Sequence, residues 1–213
     1  MKSALLSRAA KPVLFVLCLL PLAWLVYGAA FDRLGANPAE ALIRGLGEWT
    51  LRLLCVTLAV TPLRVRWRLP QLARFRRMLG LFVFFYASLH LLAYAWLDMG
   101  FEVADIARDI SKRPFILVGF AAWLSLMPLA ATSFNRAIRA MGARRWQMLH
   151  RLVYVIAGLA VLHFFWMRSG KRDYAEVVVY GALIGALLLE RVWRALRTTR
   201  SSRTEGPGLP FSG

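Results

Sequence analysis

A chain of 213 residues that is 59% hydrophobic, with mean hydropathy +0.54, is too apolar for an ordinary soluble domain and has the length of one domain. Its formal net charge of +17 would suit a nucleic-acid binder only if gathered into one patch. The charge is instead dealt out between apolar runs long enough to cross roughly 30 Å of hydrocarbon, which excludes nucleic acid as a partner and points to an integral membrane protein.

In chain order, Lys2, Arg8 and Lys11 precede the first apolar run, residues 12–31. It is longer than a signal-peptide core and more spans follow, so it reads as an uncleaved first span. Residues 31–44 form a polar connection. A second span, 45–63, carries Glu48 and Arg52 four residues apart, spaced to meet on one helix face. They read as an outer-interface pair with Arg52 snorkelling, or with Arg52 beside a bound anionic group. Residues 64–77 hold six arginines and no acid. The third span is 78–97, followed by a mixed-charge loop, 98–113. The fourth span is 114–131, and the connection 132–145 is again basic.

The fifth span is 146–167, followed by a charged turn at 168–176 and a shorter sixth span, 177–193. Residues 1–196 form one domain. Residues 197–213, arginine-rich and then rich in Ser, Gly and Pro, read as a disordered cytoplasmic tail. Cys18 and Cys55 lie in different spans with no CxxC or Cys/His partner, and read as small core residues.

The basic connections alternate with balanced ones. Place the N-terminus, 64–77, 132–145, Arg151, Glu190, Arg191 and residues 194–213 on one side. That side has 19 Lys/Arg and two acids, 19 − 2 = 17, and the other has 9 of each, 9 − 9 = 0. The positive-inside rule then gives an all-α, six-transmembrane-helix bundle with both termini cytoplasmic, its arginines facing anionic membrane lipid.

All three histidines sit in the spans: His90 in the third, His150 and His163 in the fifth. Imidazole in a charge-poor span is a functional signal. His150 and His163 are 163 − 150 = 13 residues apart, about 20 Å along a helix, so they cannot share one metal ion. Counted from the basic ends, His150 lies about 5 Å in, His90 about 18 Å and His163 about 24 Å. Spans three and five run the same way, so His90 and His163 can face one planar iron porphyrin from its two sides. No CxxCH is present, so attachment would be non-covalent. A transporter with a histidine-lined proton or metal path is the alternative, disfavoured by the scarcity of Ser, Thr, Asn and acids in the spans.

A His in the third span followed by His150 and His163 in LHRLVY…LHFFW resembles the ferric-reductase-like transmembrane domain. The six bare spans and WQMLHRLVY are most similar to its compact bacterial branch, the haem-binding membrane subunits of the periplasmic protein-methionine-sulfoxide reductase system. The likeness covers about residues 10–195. It implies haem b, an FMN, and an inner-membrane electron conduit rather than a substrate enzyme. Electrons would come from the quinone pool or a cytoplasmic flavin donor and pass to a periplasmic molybdopterin-containing catalytic subunit that repairs oxidised proteins.

Larger relatives hold two stacked haems by two histidines on each of two helices. Here Arg76 or Arg77 stands at the inner position of span three. One haem at His90 and His163 is therefore carried over. A second at His150 would need another ligand, such as Met148, Met141 or water. Arg77, Arg145 and Arg151 at the inner end are candidates for propionate, phosphate or quinone contacts.

Overall fold

The computed structural model describes residues 7–170 and 174–204. Those residues are built from helices: α1 (Ala10–Ala30), α2 (Pro38–Arg66), α3 (Ala73–Ala93), α4 (Val103–Lys112), α5 (Pro114–Ala131), α6 (Asn135–Met141), α7 (Ala143–His150), α8 (Leu152–Ser169) and α9 (Ala175–Thr204). A single 3-10 turn, Pro70–Leu72, leads into α3, and a π-helical turn, Tyr94–Asp98, extends it.

Among the described residues, five segments are long and apolar enough to cross a membrane: α1, α2, Pro70–Asp98, α5, and Ala143–Ser169. The sixth expected span is a long helix, α9, but is not among them. Its uncharged stretch between Glu176 and Glu190 has only 190 − 176 − 1 = 13 residues. The expected tail boundary at 197 falls inside α9, and residues 205–213 of that tail lie outside the described residues, as do 171–173 of the charged turn.

Helix α2 is the hub. It packs chiefly on α3 and also meets α1 and α9, while α5 pairs with α8 and touches α3. Eight of its side chains, from Leu46 to Val60, are buried, and Leu54 and Leu58 are nearly sealed. Helix α1 presents Val13, Val16, Leu20 and Trp24 outward, each more than half exposed, as a lipid-facing helix should. Both cysteines are buried and free, in keeping with a packing role.

Helix α2 begins seven residues before the expected span, because Asn37-Pro38-Ala39-Glu40 is a helix start. The Asn37 side chain accepts from the Glu40 N–H at 3.1 Å, and Pro38 occupies the first turn. The 98–113 loop holds α4, whose Val103, Ile106, Ala107 and Ile110 recur at helical spacing. The fifth span is broken at Arg151 into α7 and α8.

Two interior prolines leave marks on the packing. Pro62 has no N–H to offer the Leu58 carbonyl, and Arg191 of α9 donates to that carbonyl instead, at 2.8 Å. In α1, beside Pro21, the fully buried Tyr86 hydroxyl accepts from the Leu22 N–H at 3.0 Å and donates to the Cys18 carbonyl at 2.8 Å. A side chain thus stands in the helix's own ladder.

Candidate functional site: a histidine pair in one cavity and a basic pocket beneath it

Helices α3 and α8 face each other across a cavity of about 530 Å³, within the range of small-molecule and cofactor sites. His90 from α3 and His163 from α8 both line it, their ring centres 6.2 Å apart. The offset in depth expected between them does not keep the rings apart.

Each ring is held by a backbone carbonyl on a flanking helix. His90 Nδ1 lies 2.8 Å from the Ile43 carbonyl of α2, and His163 Nδ1 lies 2.6 Å from the Phe115 carbonyl of α5. A carbonyl only accepts, so both Nδ1 atoms carry the proton and each Nε2 keeps its lone pair. A metal-binding histidine is oriented by the same kind of outer bond. Two such imidazoles on one cavity can ligate one ion from two sides. Metal–imidazole bonds of about 2 Å on either face place ring centres about 6 Å apart, close to the separation observed.

The cavity is walled on one side by Leu54, Val83 and Leu126, and charged residues rim it. Arg44 pairs with Glu40, and Arg113 with Asp109 at 2.8 Å. Tyr94 in the π-helical turn donates to Asp109 at 2.7 Å, tying α4 over the rim. Glu48 and Arg52 meet as their spacing predicts, at 3.0 Å. Arg52 then donates to Tyr180 of α9 at 3.1 Å, away from the cavity lining.

His150 is elsewhere. It lines a second cavity of about 510 Å³, which shares only the Leu54–Val83–Leu126 wall with the first. Arg64, Arg76, Arg77, Arg151 and Arg191 line this pocket with no acid among the lining residues. Arg77 donates to Asn135 at 2.7 Å. Of the three arginines proposed from sequence, Arg77 and Arg151 reach the pocket; Arg145 does not, and lies exposed on α7. Met148 is 60% exposed, and neither it nor Met141 lines the pocket.

The bonding of His150 is the reverse of the other two. Thr132 donates its hydroxyl proton to the Pro128 carbonyl at 2.6 Å, so its oxygen accepts from His150 Nε2 at 3.1 Å. Trp146 stacks on the ring with centres 4.0 Å apart and donates to the Thr132 carbonyl. In this arrangement His150 Nε2 is engaged, and ligation through it would require the Thr132 bond to be given up. Among the described residues, no group of three or more His, Cys, Asp or Glu could hold a metal ion.

Residues 46–161 match the family "Ferric reductase like transmembrane component". The "Protein-methionine-sulfoxide reductase heme-binding subunit MsrQ" of Polaromonas naphthalenivorans is 69% identical, over 89% of this chain and 86% of its own. The proteins of that name from Ralstonia nicotianae and Caulobacter vibrioides are 50% identical (96% and 94% covered) and 46% identical (89% and 90% covered). No solved structure matches. The protein is a multi-pass protein of the bacterial inner membrane. Paired imidazoles on helices α3 and α8, the family match and the close relatives together place this chain in the ferric-reductase-like transmembrane family, among its MsrQ haem-binding subunits.

Proposed function

We propose that the chain carries electrons outward across the inner membrane through haem b held between His90 and His163. It then serves a periplasmic molybdopterin-containing methionine-sulfoxide reductase subunit that repairs oxidised proteins. The observation that carries this reading is the pair of Nδ1-anchored rings 6.2 Å apart in one cavity. Bound haem supplies one-electron chemistry at iron. The chain supplies ligand orientation through Ile43 and Phe115, an apolar wall, and a mixed-charge rim in which Arg44 and Arg113 are already paired with Glu40 and Asp109.

The lower pocket is the entry side. Its arginines, Arg77 and Arg151 among them, suit a carboxylate- or phosphate-bearing planar group. A second haem at His150, FMN and a quinone headgroup are its candidate occupants, with electrons arriving from quinol or a cytoplasmic flavin. In this reading α9 is a sixth crossing. Its uncharged stretch covers about 20 Å, and Arg191 just past it bonds the Leu58 carbonyl while Arg194 pairs with Glu190. Both termini are then cytoplasmic, and the basic pocket faces inward by the positive-inside rule.

The purified chain should show a reducible low-spin haem spectrum, quantified as pyridine haemochrome. His90→Ala and His163→Ala should each abolish it. Reduced protein should be reoxidised when mixed with the catalytic subunit and methionine sulfoxide. Full haem retention in both alanine variants would end the proposal.

A further inference from the structure

We infer that Gly47 and Gly119 are positioning residues, each uncovering the helix carbonyl that holds one imidazole. The two anchors are built alike. His90 bonds the Ile43 carbonyl and Gly47 follows four residues later on α2 (47 − 43 = 4); His163 bonds the Phe115 carbonyl and Gly119 follows four residues later on α5 (119 − 115 = 4).

In an α-helix the carbonyl of residue i accepts from the N–H of residue i+4, whose side chain leans back over that carbonyl. A ring from a neighbouring helix comes close enough to the remaining lone pair most readily where that side chain is missing. The geometry at both positions agrees. A Cβ on Gly47 would lie 3.1 Å from His90 Cε1 and 3.2 Å from its Nδ1. A Cβ on Gly119 would lie 2.7 Å from His163 Nδ1 and 2.8 Å from Cε1, closer than atoms tolerate. By contrast, a Cβ on Gly80, Gly158 or Gly185 would meet nothing within 4 Å.

Glycine is a poor helix former, so its use in two spans has a local reason. Here the reason is the approach of a ring to backbone. The consequence is a fixed tautomer: with Nδ1–H bound to the carbonyl, Nε2 is left for the cavity. An alanine pushes the ring off its acceptor and frees it to rotate. The value of this device to haem rests on the function proposed above; the carbonyl contact itself does not.

The test uses the full chain in nanodiscs, ¹⁵N-labelled at histidine, of which it has three. In the haem-free protein, ring nitrogen shifts should report the Nδ1–H tautomer for His90 and His163. Gly47→Ala should disturb His90 alone and Gly119→Ala His163 alone, the latter more strongly. Titrated with haem, both variants should bind about 10–100-fold more weakly. Their haem-free melting temperatures should stay close to the wild type's, because the helix gain of alanine offsets much of the lost bond. Gly158→Ala should change neither shifts nor haem affinity. Unchanged tautomers and affinity in both variants would overturn the inference, as would uniform disturbance of all three rings with a lowered melting temperature. If the wild type takes up no haem, the proposed function falls, and the nitrogen shifts still decide the role of the glycines.

Discussion

The Tyr86 hydroxyl donates to the Cys18 carbonyl at 2.8 Å, although the two residues belong to different spans. The same oxygen accepts from Leu22 N–H, so it occupies the place of an ordinary backbone bond of α1. Tyr86→Phe leaves a buried donor and a buried acceptor to find each other or go unpaired. A stability loss of about 1–3 kcal/mol is expected, measured by thermal unfolding in detergent. An unchanged melting temperature would mean that the α1 ladder closes by itself.

Arg191 and Pro62 form a second inter-helix dependency. The proline orphans the Leu58 carbonyl and the guanidinium satisfies it. Arg191→Met should cost about 1.5–3 kcal/mol, since the lost bond is charge-assisted. In a Pro62→Ala background, residue 62 again offers an N–H and the same substitution should cost less. A double-mutant cycle should show coupling of about 1 kcal/mol, and additive losses would contradict this account.

Tyr94→Phe removes the hydroxyl that ties the π-helical turn to Asp109 on α4. A bond to a charged acceptor is worth about 1.5–3 kcal/mol, so opening of α4 should become roughly tenfold or more frequent. Hydrogen exchange over residues 103–112 is the measurement. Exchange that stays at the wild-type rate would place the attachment of α4 in Ile106 and Ile110 instead.

Thr132→Val deletes the acceptor of His150 Nε2 in the lower pocket and touches nothing in the upper one. The spectrum of haem held by His90 and His163 should be the same in Thr132→Val and His150→Ala as in the wild type. Any second species should change in both. Loss of the main haem signal in either variant would mean that the two cavities are not independent.

The pair of histidines was legible in the sequence because spacing sets depth in a helix, and alternation of spans sets direction. The carbonyls of Ile43 and Phe115 were not, since which backbone atom a ring meets depends on how separate helices approach. Gly47 and Gly119 were visible as glycines inside apolar spans, but only the tertiary approach gives them meaning. The Asn37–Glu40 helix start and the periodicity of Val103, Ile106, Ala107 and Ile110 were present in the letters. Reading those stretches by polarity concealed them. Arg77, Arg145 and Arg151 share the basic end of the spans by position in the sequence, but the turn of α7 leaves Arg145 exposed outside the pocket.

Leu54, Val83 and Leu126 stand between the two cavities. Their side chains offer no hydrogen-bonding group, so a proton released in the basic pocket has no path along them. In the proposed function, charge then crosses this layer without its counterion. With the cytoplasm negative, an electron moving outward travels with the field, gaining up to about 2.3 kcal/mol per 100 mV for a full crossing. Under that proposal, three aliphatic side chains tie electron delivery to how strongly the membrane is energised.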